Sequence, residues 1–183
     1  MITEEMLNRV HLWLVRHGET VWNANGRLAG WSDVSLTPKG EQQAKSVRPL
    51  LKRHHFDSIW SSDLVRAVET ARLAYGEPVQ ETQLREINFG DLEGCTWESI
   101  DEAHRETLLK FDGFAAPGGE SLEIFGERIR GFVDRLGTGR HLIFTHGGVI
   151  RLLTWELGLD RFVQNGDIVV VDWSERKLLS APG

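Results

Sequence analysis

One stretch decides the predicted fold class: Val10-His11-Leu12-Trp13-Leu14-Val15-Arg16-His17-Gly18-Glu19-Thr20. Residues 10–15 are almost continuously apolar, which is typical of a strand buried on both faces of a sheet. The apolar run stops at Arg16-His17-Gly18, where the chain is expected to turn. Strands buried on both faces occur mainly in parallel sheets covered by helices, so this stretch predicts the first strand of an α/β fold.

Apolar strands and amphipathic helices alternate along the rest of the chain. Thr37-Pro38 predicts the start of a long helix that runs to Leu51, because threonine caps helices and proline fits their first turn. The other predicted strands are 56–60, 141–145 and 168–172, and the other predicted helices follow Ser61 or Ser62, follow Ser121, and run from Gly147 to Gly158. We therefore predict an α/β three-layer sandwich with a mainly parallel central sheet flanked by helices.

Composition indicates a single globular unit. The chain has 183 residues, of which 40% are hydrophobic and 26% are charged, and we expect residues 1–183 to form one domain. The net charge of -6 argues against nucleic-acid binding, which depends on clustered Lys and Arg. Residues 1–9 lack the pattern of a secretory signal, and no apolar run approaches the ~20 residues that cross a membrane. The single cysteine, Cys95, fits a reducing compartment, so we expect a cytoplasmic protein. Because the apolar runs are short, we expect no membrane contacts.

Four basic residues follow three of the predicted strands. Arg16 and His17 follow the first, Arg66 lies in the first turns of the helix after the second, and His146 follows strand 141–145. The carboxyl ends of parallel strands share one edge of a sheet, so we expect these side chains to converge. Arginine offers a planar fork of donors that matches phosphate oxygens, and the helix that begins at Gly147 adds backbone N–H groups. The pattern predicts a phosphate site.

The histidines supply the chemistry of this predicted site. Neighbouring positive charge favours the neutral imidazole, which can act as a nucleophile toward phosphorus. His17 is the better candidate, since it lies in a turn where Gly18 is expected to let the backbone approach a phosphate. His146 is expected to stabilise charge on the transferred phosphoryl group.

Residues 14–20, Leu-Val-Arg-His-Gly-Glu-Thr, resemble the signature of the histidine phosphatase superfamily, which has the phosphoglycerate mutase-like fold. Further similarity is found at 22–23, 30–31, 36–37, 61–62, 66–67, 84–86, 117–121 and 145–148. The resemblance implies that His17 is phosphorylated during turnover and that Glu86 is the general acid. It also implies that Arg16, Arg66 and His146 hold the phosphoryl oxygens and that Asn23 adds a polar contact. Without the resemblance, nothing distinguishes Glu86 among the 27 acidic residues.

The superfamily contains both phosphatases and mutases. A mutase must hold a second anionic group and exclude water, which requires additional cations and polar groups. This chain departs from the mutase pattern at four positions, where Ile87 replaces an arginine, Trp97 a lysine, Gly148 an asparagine and Ala29 a hydroxyl residue. It also lacks an adjacent arginine pair and has a short segment between Glu86 and His146. We therefore expect a phosphomonoesterase for a small phosphorylated metabolite, similar to the small phosphatases that include the α-ribazole phosphatases. A cofactor-dependent phosphoglycerate mutase is the alternative.

Two other classes of protein are weighed against this interpretation. A metal hydrolase would use His17, His146 and Glu86 as ligands, but no HxH or HExxH spacing occurs, and two arginines would repel a divalent cation. A sensor of phosphorylated metabolites would need the cations but no nucleophile. We therefore predict no metal and no cofactor, while the oligomeric state is not predicted. The cavity walls are expected from residues 23–31 and 90–114, with one or two ligand contacts among Trp22, Trp31, Phe89, Trp97, Phe111 and Phe114.

Overall fold

Six strands form one sheet in the computed structural model, which describes residues 9–179. The strands are β1 Val10–Arg16, β2 Ser58–Ser61, β3 Val79–Gln80, β4 Gly139–Thr145, β5 Ile168–Asp172 and β6 Lys177–Leu179. The α-helices are α1 Val21–Ala24, α2 Pro38–Ser46, α3 Arg48–Leu51, α4 Val65–Ala74, α5 Glu102–Lys110, α6 Leu122–Val133 and α7 Gly147–Trp155. Two short 3-10 helices, Thr82–Leu84 and Gly90–Leu92, lie between β3 and α5.

The sheet is mixed, with the strand order β3-β2-β4-β1-β5-β6. Pairing is parallel from β3 through β2 and β4 to β1, and antiparallel from β1 through β5 to β6. The predicted α/β architecture is confirmed, and its mainly parallel sheet carries one antiparallel edge. Because β1 lies between β4 and β5, the turn that follows Arg16 lies beside the carboxyl end of β4 and the start of β5.

Alternate residues of β1 pack into two separate cores, one on each face of the sheet. Leu12 and Leu14 belong to a core with Phe125 and Ile129 of α6, and Trp13 belongs to a second core that includes residues of α3 and α4. These side chains are almost completely buried. Burial of each contributes about 1.5–3 kcal/mol to folding, so the apolar run seen in the sequence stabilises both helical layers.

The predicted long helix after Thr37 is wrong in its extent. Thr37 caps it as expected, since its Oγ1 accepts a hydrogen bond from the Gly40 N–H at 3.0 Å. The chain then forms two helices, because α2 ends at Ser46 and α3 begins at Arg48. Pro49 lacks the N–H that a continuous helix needs, and its ring clashes with the carbonyl four residues earlier. It is tolerated here because it lies in the first turn of α3.

Other helix boundaries differ from the predictions in smaller ways. The helix after β2 begins at Val65, and its first N–H donates to Asp33 Oδ1 at 2.7 Å, so a distant aspartate replaces the predicted serine cap. Ser121 caps α6 as predicted, by accepting from the Ile124 N–H. Helix α7 begins at Gly147 as predicted and ends at Trp155. Among residues 9–179, none of the helices combines the length and apolar character needed to cross a membrane.

Candidate active site

The four predicted basic residues meet at the carboxyl edge of the parallel strands. Arg16 ends β1, His17 follows it, and His146 follows β4 as the residue before α7. Arg66 is the second residue of α4. The His17 and His146 rings are 5.2 Å apart between centroids, and Arg66 Nε lies 3.3 Å from His17 Nε2. Three separate strand–helix connections therefore deliver one cationic cluster.

His17 is held in one tautomer by its backbone neighbour. The side chain is 4% exposed, and Nδ1 lies 2.7 Å from the Gly18 carbonyl oxygen. A carbonyl only accepts, so Nδ1 carries the proton and Nε2 carries the lone pair. The Arg66 Nε–H donates toward that lone pair. The nitrogen available to attack an electrophile is therefore Nε2, and it faces the cationic cluster.

The role predicted for Gly18 is replaced by a packing role. A Cβ at Gly18 would lie 2.3 Å from the Gly40 carbonyl oxygen, and a Cβ at Gly40 would lie 2.1 Å from the Glu19 carbonyl oxygen. Both contacts are far too short for real atoms. Glycine is needed at both positions because the turn after β1 packs backbone to backbone against α2.

Both histidines are shifted toward their neutral form. Burial lowers the pKa of His17 well below its usual value, and the Arg66 and Arg16 charges lower it further. The pKa of His146 is lowered well below its usual value by burial, with Arg66 and His17 adding to the effect. Each group is disfavoured as a cation because burial desolvates the charged form and positive charge is near. The cluster therefore contains two arginine cations beside two neutral imidazoles.

Three buried nitrogens at this edge have no hydrogen-bond partner within residues 9–179: Arg16 Nε, His146 Nδ1 and His146 Nε2. Buried polar atoms are normally paired, since an unpaired one costs about 1–3 kcal/mol. Arg16 is held from its other side, where Nη1 donates to the Val163 carbonyl oxygen at 2.5 Å. An anion bound beside these groups would accept from the Arg16 Nε–H and from the one N–H that a neutral His146 carries.

Arg66 is completely buried and fixed by the loop that follows α1. Its Nη1 donates to the Ser32 carbonyl oxygen at 2.9 Å, and its Nη2 donates to the Gly30 carbonyl oxygen at 2.6 Å. These contacts use the outer edge of the guanidinium and leave Nε directed at His17. Burial lowers the pKa of Arg66, although the Glu86 charge opposes this effect. The positive charge beside His17 is therefore held in one orientation.

Glu86 lies at the same edge, and both of its carboxylate oxygens accept backbone hydrogen bonds. Oε1 accepts from the Ile87 N–H at 2.9 Å, and Oε2 accepts from the Gly148 N–H at 3.0 Å. Gly148 is the second residue of α7, and a Cβ there would lie 2.2 Å from Glu86 Oε1. The glycine that the sequence shows after Gly147 therefore makes room for the carboxylate and orients it.

The main chain of Glu86 is anchored by Trp31, which was predicted as a possible ligand contact, and by Arg128, which sequence reasoning did not identify. Arg128 Nη2 and Trp31 Nε1 both donate to the Glu86 carbonyl oxygen, at 2.7 and 2.8 Å. Arg128 also forms a two-pronged ion pair with Glu120, whose Oε2 accepts from the Asn88 N–H. The motif at 117–121 thus supports the segment that carries Glu86. A lone arginine on a helix gave no sequence signal for this role.

Asn23 lines the cavity together with Asn165, another residue that sequence reasoning missed. Asn23 Oδ1 accepts from the Thr20 N–H at 3.1 Å, in a reciprocal cap at the start of α1. Asn165 Nδ2 donates to the His17 carbonyl oxygen at 3.0 Å and to Asn23 Oδ1 at 3.3 Å. Asn165 precedes β5, so the antiparallel strand brings it to the same edge. The two side chains brace the turn that carries His17.

A cavity of about 400 Å³ is lined by Arg16, His17 and Glu86, whereas the fully buried Arg66 and His146 do not line it. Its wall includes Asn23 and residues 26–29, as predicted, and it also includes residues 161–163, which were not predicted. Of the six aromatic candidates, Phe89, Trp97 and Phe111 line the cavity, whereas Trp22, Trp31 and Phe114 do not. Within residues 9–179, no group of three or more His, Cys, Asp and Glu side chains is arranged to hold a metal ion.

The buried neutral histidines predict a loss of stability in acid. An unfolded histidine has its usual pKa, whereas the folded pKa values of His17 and His146 lie well below it. Below about pH 6.5 the unfolded state binds more protons than the folded state. Each histidine therefore lowers the free energy of unfolding by about 1.4 kcal/mol for every unit by which the pH falls. Urea unfolding between about pH 7.5 and pH 5.5 measures the slope.

A double variant isolates the contribution of the two histidines. His17→Gln combined with His146→Gln is expected to flatten the slope, whereas His55→Gln, at an exposed position, is expected to keep it. An unchanged slope in the double variant would show that other groups cause the acid sensitivity.

The fold and this cluster define a histidine phosphatase. Residues 12–179 match the family model described as "Histidine phosphatase superfamily (branch 1)", and the chain belongs to that family. Its members include phosphatases and mutases, and the chain is an enzyme of the phosphatase type.

Named relatives carry both activities. The chain is 48% identical to phosphoglycerate mutase from Thermus thermophilus, with a TM-score of 0.88 and coverage of 93% of this chain and 96% of that one. It is 35% identical over 164 residues to adenosylcobalamin/alpha-ribazole phosphatase of Escherichia coli, covering 79% of this chain and 77% of the relative. It is 35% identical over 162 residues to 2,3-bisphosphoglycerate-dependent phosphoglycerate mutase of Cytophaga hutchinsonii, covering 80% of this chain and 76% of the relative.

Proposed function

We propose that the protein is a phosphomonoesterase that hydrolyses a small phosphorylated metabolite through a phosphohistidine on His17. The observation that carries the proposal is the set of unpaired buried nitrogens on Arg16, next to His17 in the chain, and on His146, whose ring centroid lies 5.2 Å from that of His17. A phosphoryl group placed beside His17 would accept from the Arg16 Nε–H and from the one N–H that a neutral His146 carries. Preorganised donors of this kind stabilise a transition state without reorganisation.

In the first step, the Arg66 Nε–H leaves the lone pair of His17 Nε2 for a phosphoryl oxygen, Nε2 attacks phosphorus, and the ester P–O bond breaks. Arg16, Arg66 and His146 hold the equatorial oxygens, with Asn23 and the Gly147 N–H at the rim of the site. The Glu86 carboxyl donates its proton to the departing alkoxide. The product alcohol leaves, and the phosphoryl group remains on Nε2.

In the second step, water attacks the phosphohistidine. The Glu86 carboxylate takes one proton from the water, the P–Nε2 bond breaks, and inorganic phosphate is released. This step restores the neutral His17 and the protonated Glu86. Since both steps use only side chains of this chain, the proposal includes a reaction that needs no metal.

The cavity wall supports hydrolysis over mutase activity. The four positions at which the sequence departs from the mutase pattern, Ala29, Ile87, Trp97 and Gly148, all line the cavity. None of them can hold a second phosphoryl group by charge, so a bisphosphorylated intermediate loses partners that the mutase reaction needs.

A second candidate is a phosphoglycerate mutase, and one observation favours it. Arg27 and Arg161 also line the cavity, and both are exposed. The sequence had indicated that additional cations were missing, whereas the structure places these two guanidinium groups near the opening. Two of the relatives named above are mutases. A second anionic group could therefore be held from a different part of the wall.

One assay separates the two candidates. Phosphate release from a panel of phosphomonoesters is measured in the presence of a chelator, beside interconversion of the two phosphoglycerates with and without added bisphosphoglycerate. We expect chelator-resistant phosphate release and negligible interconversion. Interconversion that outpaces hydrolysis would establish the mutase, and complete loss of activity on chelation would establish a metal hydrolase.

The cellular setting is part of the proposal. A net charge of -6 and a single cysteine support a cytoplasmic enzyme whose partner is a small phosphorylated metabolite and not a nucleic acid. The relative named an alpha-ribazole phosphatase makes α-ribazole phosphate the first member of the substrate panel.

Gly148→Ala tests the placement of the proposed acid. The new Cβ would lie 2.2 Å from Glu86 Oε1 and must displace the carboxyl group. We expect phosphate release from an alkyl ester to fall by about 10- to 100-fold, with a smaller loss on an activated aryl ester that needs no acid. Steady-state kinetics on both esters measures the difference.

Gly131→Ala is the matched control, because Gly131 lies in α6 with nothing within 4 Å of the added Cβ. Alanine is favoured over glycine in helices by about 1 kcal/mol, so neither variant is expected to fail for lack of helix stability. Equal losses on both esters in Gly148→Ala would contradict a role for Gly148 in placing the acid.

A further inference from the structure

The cavity has two chemically different parts. Arg16, His17 and Glu86 form its polar end, whereas much of the remaining wall is apolar. The apolar part includes Leu28, Leu108, Leu109, Phe111, Phe162 and Val163. A phosphomonoester bound with its phosphoryl group at the polar end would therefore place its alcohol portion against these side chains.

Two segments of this apolar part are tied together by one buried arginine. Arg151 lies on α7 with only 6% of its surface exposed. Its Nη1 and Nη2 donate to the carbonyl oxygens of Leu108 and Leu109 at 2.7 and 2.6 Å. Its Nε and Nη2 donate to the two carboxylate oxygens of Asp160 at 2.6 and 2.9 Å. All three nitrogens of the guanidinium group are therefore used.

Two aromatic rings cover the same guanidinium group. Arg151 Cζ lies 4.5 Å from the centroid of Phe111 and 4.1 Å from the centroid of Phe162. Cation–π contacts of this kind contribute roughly 0.5–2 kcal/mol each. Arg151 thus touches both the end of α5 and the segment after α7, and it holds one aromatic side chain from each against the cavity.

The contacts at α5 have a clear physical basis. Leu108 and Leu109 lie in the last turn of that helix, where carbonyl groups lack the donor four residues on, and the Leu108 carbonyl accepts only a long backbone bond from the Phe111 N–H at 3.3 Å. A cation there satisfies the carbonyls and interacts favourably with the negative end of the helix dipole. The planar fork of arginine reaches both carbonyls and Asp160 at once, which the single ammonium group of lysine cannot do.

We propose that Arg151 is a positioning residue that builds an apolar binding wall from residues 108–111 at the end of α5 and from Phe162, and that this wall selects phosphomonoesters whose alcohol portion carries a bulky apolar group. The inference deepens the proposed function and rests on it for the placement of the phosphoryl group. Arg151 itself is committed to Asp160 and two carbonyls, so it is not a partner for a second anionic group.

The exposure of the wall supports the proposal. Leu109 is 56% exposed and Phe162 is 67% exposed, although both are large apolar side chains beside the cavity. Exposed apolar groups grouped at a cavity are typical of ligand-binding surfaces. An apolar group on the substrate would cover part of this surface and gain about 25 cal/mol for each Å² removed from water.

Binding of two phosphonates tests the wall without requiring turnover. Phenylpropylphosphonate and ethylphosphonate share the phosphoryl-like end and differ only in the bulky apolar group. For the wild type, calorimetry is expected to give a Kd for phenylpropylphosphonate that is about 30-fold lower than that for ethylphosphonate. In Arg151→Lys we expect the ratio to fall to about threefold, through weaker binding of phenylpropylphosphonate alone.

Two further variants separate positioning from general destabilisation. Arg176→Lys is the matched control. Arg176 also stacks on an aromatic ring, with Cζ 3.9 Å from the ring centroid of Trp173, but it does not line the cavity. It is expected to keep the wild-type ratio. Phe162→Ala removes an exposed ring at little risk to folding and is expected to lower the ratio as Arg151→Lys does. Melting temperatures are measured for all variants.

The binding wall and the proposed hydrolysis would be contradicted by different results. Equal Kd values for the two phosphonates in the wild type, or equal weakening of both in Arg151→Lys, would overturn the binding wall. Failure of the wild type to release phosphate from phenylpropyl phosphate would overturn the proposed hydrolysis and leave the binding ratio as an independent result. A retained ratio in both Arg151→Lys and Phe162→Ala would also overturn the positioning role.

Discussion

Replacing His17 with alanine is expected to lower phosphate release by at least about 10⁴-fold, because the variant lacks the only nitrogen that forms the covalent intermediate. The variant is also expected to lose the phosphate label that the wild type acquires after brief mixing with substrate. That label should be labile in acid and stable in base, as expected for phosphate bound to imidazole nitrogen. Quenched-flow labelling followed by mass spectrometry measures both properties.

His55→Ala serves as the control for this experiment, since His55 is exposed and lies outside the cavity. It is expected to retain both turnover and label. A label that persists in His17→Ala would assign the nucleophile to another residue. Rapid turnover with no label in the wild type would indicate direct attack of water on the substrate.

Glu86→Gln is expected to show the second largest effect, with a strong dependence on the leaving group. An alkyl ester departs as a basic alkoxide and needs a proton, so phosphate release is expected to fall by about 10²- to 10⁴-fold. An activated aryl ester departs without protonation and is expected to lose less than about tenfold in the first step. Rates for a series of esters that differ in leaving-group basicity measure this dependence.

Glu123→Gln controls for the change from carboxylate to amide at an exposed position outside the cavity. It is expected to match the wild type on every ester. If Glu86→Gln lost the same factor across the whole series, Glu86 would have to act in some way other than proton donation.

The cationic cluster could be predicted from sequence because of a property of parallel sheets. Residues that directly follow parallel strands reach the same edge, so the order of residues along the chain was enough to place Arg16, His17 and His146 together. The almost continuous apolar run at residues 10–15 also predicted the two-sided burial of β1. These inferences needed only local sequence and one rule of topology.

Residues 161–165 could not be placed by the same reasoning. They precede β5, and β5 is antiparallel to β1, so the start of β5 lies beside the end of β1. Strand direction is not visible in an apolar run, and a prediction confined to residues after strands therefore missed Asn165 and Phe162. Their position depends on the complete sheet order.

Glu86 shows a different limit of sequence reasoning. Its carboxylate is placed by the N–H groups of Ile87 and Gly148, and its carbonyl oxygen is held by Arg128 and Trp31. These partners come from separate parts of the chain and meet only in the folded state. Only the family resemblance identified Glu86, because a single acidic residue beside a short 3-10 helix has no distinctive local pattern.

Gly18 and Gly40 are far apart in the sequence but lie in contact in the fold, so neither position is expected to tolerate a side chain. Helix α2 contributes nothing to the cavity wall within the described residues, yet its backbone supports the turn that aims His17. A Cβ added at Gly40 would lie 2.1 Å from the Glu19 carbonyl oxygen, so it must displace the turn that carries His17. Substitution at Gly40 of α2 is therefore expected to be tolerated as poorly as substitution of residues that contact the substrate. Random mutagenesis is expected to recover Gly40 variants that are folded but inactive.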